Sequence, residues 1–182
     1  TEGILVLPEA FQIGEKIEPL LGFDDYVLEL DLTPNRSDCL SMIGVAYEVA
    51  AILDREVKLP DLKLGTNVSQ EPKVKITIEA PEACNHYAAR LVTDIKIGES
   101  PQWMQNRLIA AGIRPINNVV DVTNYVLLEY GQPLHAFDFQ RLEQPNIVVR
   151  LAKPNETFVT LDDQERELDE NMLLITDGIK PI

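Results

Sequence analysis

The spacing of apolar and polar positions changes character along the chain. Leu40, Ile43, Ala46, Val49, Ala50 and Leu53 recur at intervals of three and four, which predicts a helix from about Cys39 to Leu53 with one face buried. Ser37 or Asp38 stands where a helix cap belongs, and Thr33-Pro34-Asn35 supplies the turn chemistry that ends a preceding strand over Tyr26–Leu32. Gly44 weakens that helix by propensity, so its presence predicts close packing against a neighbour. The opening stretch EGILVLPEAFQIGEKI reads as a short strand, a turn at Pro8 and an acidic connector.

Period-two patterns follow. VKITIEA alternates Val74, Ile76, Ile78 and Ala80 with polar partners, and YAARLVTDIKI alternates Tyr87, Ala89, Leu91, Thr93, Ile95 and Ile97, so both predict strands. SPQWMQNRLIAAG predicts a short helix with Ser100 as cap, Pro101 in the first turn and Gly112 as stop. NIVVRLA and TFVTL predict further strands, with LDDQEREL as a hairpin tip, and Asp177-Gly178 signals a two-residue hairpin in MLLITDGIKPI. Only Ile179–Ile182 follow that signal, and the chain opens on Thr1, so it reads as an excised segment that ends inside an element.

The stretch INNVVDVTNYVLLEYGQPLHAFD, residues 116–138, combines conflicting signals. Ile116, Val119, Val120, Val126, Leu127 and Tyr130 form an apolar helical face, and Pro115 and Gly131 sit where helices start and stop. Asn117, Asn118, Asn124 and the β-branched run Val119-Val120-Asp121-Val122-Thr123 are poor helix formers, so tertiary contacts must hold the helix or part of it is a strand. Asp121 and Asn124 are either a solvated stripe or the lining of a cleft, where a carboxamide could read a polar group as donor and acceptor. His135 after the Gly131-Gln132-Pro133-Leu134 turn is either structural or a titratable site residue.

Strands, two helices and strands again make the fold class α+β with a mixed sheet rather than a regular βαβ alternation. Composition adds 45% hydrophobic and 25% charged residues, an ordinary globular balance. The longest apolar run, Val45–Leu53, is too short for a span of roughly 20 residues. Cys39 and Cys84 lack ligand-like spacing, so neither a disulfide framework nor a metal site is implied, and a reducing cytoplasm fits.

A net charge of −14 argues against a general nucleic-acid binder, and no DNA or membrane partner is expected. The acid is unevenly placed, however. Residues 1–31 hold eight acids against Lys16 alone, whereas residues 101–155 carry five bases against four acids. The awkward helix lies in the window where an anionic ligand is best tolerated. No nucleophilic serine or cysteine stands near His135 and no HxH or HExxH pattern involves His86, so a zinc or serine hydrolase is disfavoured and chemistry by water is left.

Taken together, DLTPNRSDCLSMIGVAYEVAAI (31–52) and GIRPINNVVDVTNYVLLEYGQPLHAFD (112–138) closely resemble the β subunits of bacterial phenylalanyl-tRNA synthetases. That resemblance covers almost the whole chain and implies its organisation: residues 1–15 the tail of an inserted OB-type domain, 16–60 a B1-like segment, 61–72 a linker and 73–182 a B3/B4-like editing module, incomplete at its C-terminus. It implies hydrolysis of tyrosine mischarged onto the tRNA for phenylalanine, with that tRNA and the synthetase α subunit of a heterotetramer as partners. No cofactor is implied for editing; ATP and Mg belong to aminoacylation by the parent enzyme.

The resemblance also places His135, Arg114 and Asn124 at the editing pocket, with Asp121 and Gln132 as weaker substrate contacts. Tyrosine differs from phenylalanine by one hydroxyl, which an apolar pocket rejects by only about a hundredfold, so a second site must read the hydroxyl positively. On this reading Asn124 reads the phenol, His135 positions water or the terminal ribose, and Arg114 clamps the terminal nucleotide. Asn35, Arg36 and Ser37 read as turn and cap chemistry without a catalytic role. The alternative is a non-catalytic tRNA-docking or subunit-scaffolding module.

Overall fold

A computed structural model of the chain describes residues 12–62, 74–160 and 163–182. The segment predicted as a linker lies from residue 63 onward outside the described residues, as do residues 1–11 of the OB-type tail and Leu161 and Asp162 of the predicted hairpin tip LDDQEREL. The chain divides into two compact units, each built from two separate stretches: residues up to Pro60 with Lys96–Ala136, and Asp61–Ile95 with Phe137–Ile182. Helices and a mixed sheet make it α+β, as the sequence predicts.

The first unit is helical. It holds α1 (Ile17–Leu20), a 3-10 turn at Ser37–Leu40, α2 (Met42–Leu53), α3 (Gln102–Ala110) and α4 (Asn118–Tyr130). Helix α2 starts later than its apolar pattern suggests. Its cap is Ser41, whose hydroxyl accepts from the Gly44 N–H at 3.1 Å, rather than Ser37 or Asp38, which lie in the 3-10 turn. Arg36 ties that turn to the helix, donating to Asp38 at 2.8 Å and pairing with Glu48 at 2.7 Å. The Arg36 guanidinium holds the Asp38 carboxyl down at about 2. Asn35 accepts from the Thr33 hydroxyl, so the TPNRS stretch does turn work, whereas the cap of α2 comes from Ser41 and the N-cap of the 3-10 turn, Arg36, makes no side-chain cap bond.

Helix α2 packs on the 3-10 turn and on α4, yet none of its residues is fully buried among the described residues. Val49 and Leu53, predicted to face inward, are 43% and 58% exposed. Periodicity names the face that can be buried; the described neighbours cover only part of it. The buried centre of this unit lies instead at α3 and α4, where Leu108 is completely buried beside Met104, Ser100 and Asp121. Asn106 of α3 donates to the Leu21 carbonyl, fastening the N-terminal segment to that helix.

The second unit centres on a three-stranded sheet in the order β1 (Lys75–Ile78), β2 (Asn146–Leu151), β5 (Leu173–Thr176). β1 runs parallel to β2, with Ile76 opposite Ile147, and β5 runs antiparallel to β2, with Ile175 opposite Val149. Ile147 and Val149 are 4% and 1% exposed, so alternate positions of the central strand supply the core. β3 (Thr157–Val159) and β4 (Glu165–Glu167) form a separate antiparallel pair.

Two predicted strands are absent. Residues 26–32 and 87–97 are irregular in this structure, with Tyr26 91% and Ile97 67% exposed. Alternation marks a segment able to show one apolar face, but a strand exists only where a neighbour completes its hydrogen-bond ladder. The Asp177-Gly178 hairpin is also wider than predicted: Thr176 pairs with Pro181 and the Asp177 N–H donates to the Lys180 carbonyl, so four residues form the turn. Asp177 organises it, accepting from the N–H groups of Ile179, Lys180 and Glu143 at 2.9 Å each. Burial pushes its carboxyl up, but these donors outweigh that and hold its pKa below the usual range.

Arg150 of β2 is 7% exposed and makes two bonds to Glu156, at 2.6 and 2.8 Å. Glu156 also accepts from the Lys153 N–H, so the pair closes the turn between β2 and β3. Arg150 and then this N–H pull the Glu156 carboxyl from 4.5 down to about 2. A depressed carboxylate contributes stability that is present above its unfolded pKa and disappears as pH falls through the folded value. Unfolding followed from pH 6 to pH 2 is therefore expected to show Glu156→Gln costing about 2 kcal/mol at pH 6 and almost nothing at pH 2. A cost that is the same at both ends would remove the ion pair as its source.

Candidate functional site

Helix α4 carries or flanks every residue the sequence nominates. Poor helix propensity is overcome by fixed polar bonds at its start. The Asn117 side chain caps it, accepting from the N–H groups of Val119 and Val120 at 3.1 Å. Asn118 donates to the Lys96 carbonyl at 2.9 Å and accepts from the Gly98 N–H at 3.3 Å. The stretch is helical throughout 118–130, so no part of it is a strand; Pro115 lies outside the helix rather than in its first turn. Gly131 ends it at φ +74°, a left-handed conformation that favours glycine, and a side chain there would meet Ser41 of the α2 cap only in ordinary van der Waals contact.

Asp121 is not part of a solvated stripe. It is 1% exposed, and its two oxygens accept from the Ser100 hydroxyl at 2.6 Å and the Ile116 N–H at 2.8 Å. Ser100, nominated as the cap of α3, is thereby turned away from that helix, whose N-cap is Pro101 without a side-chain bond. Its carbonyl accepts instead from the Gln105 side chain at 2.7 Å. Asp121 thus staples the entry of α3 to the entry of α4, with both oxygens spent on the protein itself.

Asn124 lies three residues further along α4 and is half-buried. Its carboxamide makes no side-chain bond among the described residues, so donor and acceptor both remain available. Arg114 is exposed in the connection between α3 and α4, and its guanidinium is likewise unpaired among the described residues. Gln132 is exposed and donates weakly to its neighbour's carbonyl at 3.3 Å. His135 is exposed on the segment leaving the Gly131 turn.

The helix places these groups in order along one rod. Thirteen residues at 1.5 Å rise make α4 about 20 Å long. Arg114 precedes its start, Asn124 stands near its middle, and Gln132 and His135 follow its end. These four and Asp121 belong to one compact unit.

Sequence reasoning missed an aromatic cluster at the junction of α3 and α4. Trp103 meets Tyr125 edge-on with ring centroids 5.4 Å apart. Arg107 lies over both rings, 5.3 Å from the first centroid and 6.0 Å from the second, and donates to the Tyr125 hydroxyl at 2.6 Å. The four-residue spacing of Trp103 and Arg107 on a helix was the available signal.

Among the described residues, no group of three or more His, Cys, Asp and Glu side chains is arranged to hold a metal, and no helix is long and apolar enough to cross a membrane. Cys39 and Cys84 are both free thiols, the former buried.

Residues 83–182 match the family model of the B3/4 domain. Over all 182 residues the chain is 58% identical to the phenylalanine–tRNA ligase beta subunit of Geobacillus kaustophilus, covering 23% of that protein. The identity is 54% over the same span to the beta subunit of Bacillus cereus, of which it covers 23%, and 56% to that of Halalkalibacterium halodurans, of which it covers 22%. The chain therefore spans less than a quarter of the length of the curated relatives it matches.

Proposed function

Because this chain belongs to the B3/4 domain family, we propose that it forms the editing module of a phenylalanine–tRNA ligase β subunit, hydrolysing tyrosine mischarged onto the tRNA for phenylalanine. Its partners are then that tRNA and the ligase α subunit, in the cytoplasm. ATP and Mg serve aminoacylation in the parent enzyme, and the editing step takes no cofactor.

One observation carries the reading beyond similarity: the half-buried Asn124 carboxamide on α4 has no side-chain hydrogen-bond partner among the described residues. A polar group held in a partly desolvated place gains most from a ligand that bonds to it, and a phenol can both donate to and accept from a carboxamide. Phenylalanine lacks that hydroxyl and leaves Asn124 unpaired, so the correct product is spared. Arg114, at the far end of α4, takes the terminal nucleotide through a phosphate oxygen. His135 takes the ester end, accepting a proton from the attacking water or holding the terminal ribose. The water oxygen bonds to the tyrosyl carbonyl carbon, the carbon–ribose oxygen bond breaks, and the ribose hydroxyl recovers a proton. Gln132, next to the turn, contacts the substrate weakly. Asp121 positions α4 for this work rather than touching substrate, since both its oxygens are engaged.

The test uses the intact αβ ligase. Deacylation of Tyr-tRNA is expected to fall at least tenfold in His135→Ala, Arg114→Ala and Asn124→Ala, with Phe-tRNA synthesis unchanged. Asn124→Ala should in addition narrow the preference for Tyr-tRNA over Phe-tRNA. If all three variants clear tyrosine at the normal rate, the module is not the editing site, and a docking or scaffolding role takes its place.

A further inference from the structure

We propose that Trp103, Arg107 and Tyr125 form a stacking platform for an unpaired RNA strand on the exposed side of the α3–α4 junction. The choice of RNA rests on the editing reading; the chemistry of the surface stands on its own contacts. Trp103 is 50% exposed although it is the largest side chain in the unit. It is also held in place rather than loose, by the edge of Tyr125 and the guanidinium of Arg107. A fixed, half-open indole offers its π surface to a base at little further ordering cost.

Charge points the same way. Arg107 is exposed and is held by two rings and a phenol hydroxyl, and among the described residues it makes no ion pair with a carboxylate. Glu129 accepts from the Tyr125 hydroxyl, at 3.4 Å. From Pro101 to Val120 the chain has no acid and two arginines, Arg107 and Arg114, although acids outnumber bases 30 to 16 overall. This is a local cationic window in an anionic molecule, and it coincides with the exposed tryptophan. Cation beside aromatic, with Gln102 exposed one residue away, suits phosphate and base together better than an apolar protein surface. The strand must be single, because bases inside a duplex already stack on one another.

Trp103 is the only tryptophan in the chain, so its fluorescence reports the site directly. The probe is an unacylated single-stranded RNA octamer ending in CCA, compared with a blunt duplex containing the same octamer. Saturable quenching by the single strand, with little by the duplex, is expected. Arg107→Ala should weaken binding about tenfold and flatten the log–log salt slope by about 0.7, while Arg107→Lys keeps the slope but not the full affinity. With a labelled octamer followed by anisotropy, Trp103→Phe should retain most of the affinity that Trp103→Ala loses. Far-UV circular dichroism checks each fold, and the two Arg107 variants decide the matter if Trp103→Ala is unstable. No quenching, or equal affinity and salt slope in Arg107→Ala, overturns the platform. Since the probe carries no amino acid, this result and the Tyr-tRNA result can fail separately.

Discussion

Gly44→Ala is expected to destabilise the protein by about 3 kcal/mol or more, although glycine is the worse helix former. Propensity alone predicts the opposite sign, a gain of about 1 kcal/mol for alanine inside a helix. Contact geometry decides against it. A methyl group at position 44 would lie 1.7 Å from the Asp38 carbonyl oxygen and 2.7 Å from its carbon. Those are backbone atoms, so no rotamer change relieves the overlap; the 3-10 turn would have to leave α2. Arg36 resists that movement through Asp38 and Glu48, and the Ser41 cap would be lost with it. The measurement is the urea midpoint of Gly44→Ala against the parent, with Ala46→Gly as a control for propensity. A neutral or stabilising Gly44→Ala would show that the turn yields freely.

Asp121→Ala is the second large effect, at about 3–4 kcal/mol, because two donors lose their acceptor at once. Ser100 is 5% exposed, so its hydroxyl cannot turn to bulk water, and the Ile116 N–H lies ahead of the cap of α4. Asp121→Asn should cost only about 1 kcal/mol: the amide oxygen can still accept from Ile116, and the Ser100 hydroxyl can rotate to accept from the amide. The graded pair distinguishes a polar staple from a charge requirement. Equal losses in the two variants would mean that the carboxylate acts through its charge, and no loss in Asp121→Ala would remove the staple altogether.

How much of this could be read in advance depends on whether the deciding contact is local. Gly131 as the stop of α4 and Gly44 as a packing position were legible, since each follows from backbone needs that the residue itself reveals. Alternation at 74–80 gave a real strand, β1, because β2 is there to pair with it. The same alternation at 87–97 gave none. Caps were misassigned for a related reason. Ser100 has good capping chemistry, but an aspartate 21 residues later competes for its hydroxyl, and no local rule anticipates that. The candidate site was legible chiefly through similarity of long segments. The residues alone left Asp121 and Asn124 undecided between solvent and cleft, and burial separates them: Asp121 is consumed internally, whereas Asn124 stays available.

The interleaving of the two units also has a meaning for synthesis. A ribosome releases the chain from the N-terminus, and domains fold as they emerge. The helical unit has all its parts once Ala136 is out, but β1 must wait through about 70 residues for its parallel partner β2, and longer for β5 to flank that strand. During that interval Ile76 and Ile78 have no ladder, while α4 and its row of side chains can already be assembled. The order of translation would thus build α4 first and the sheet last.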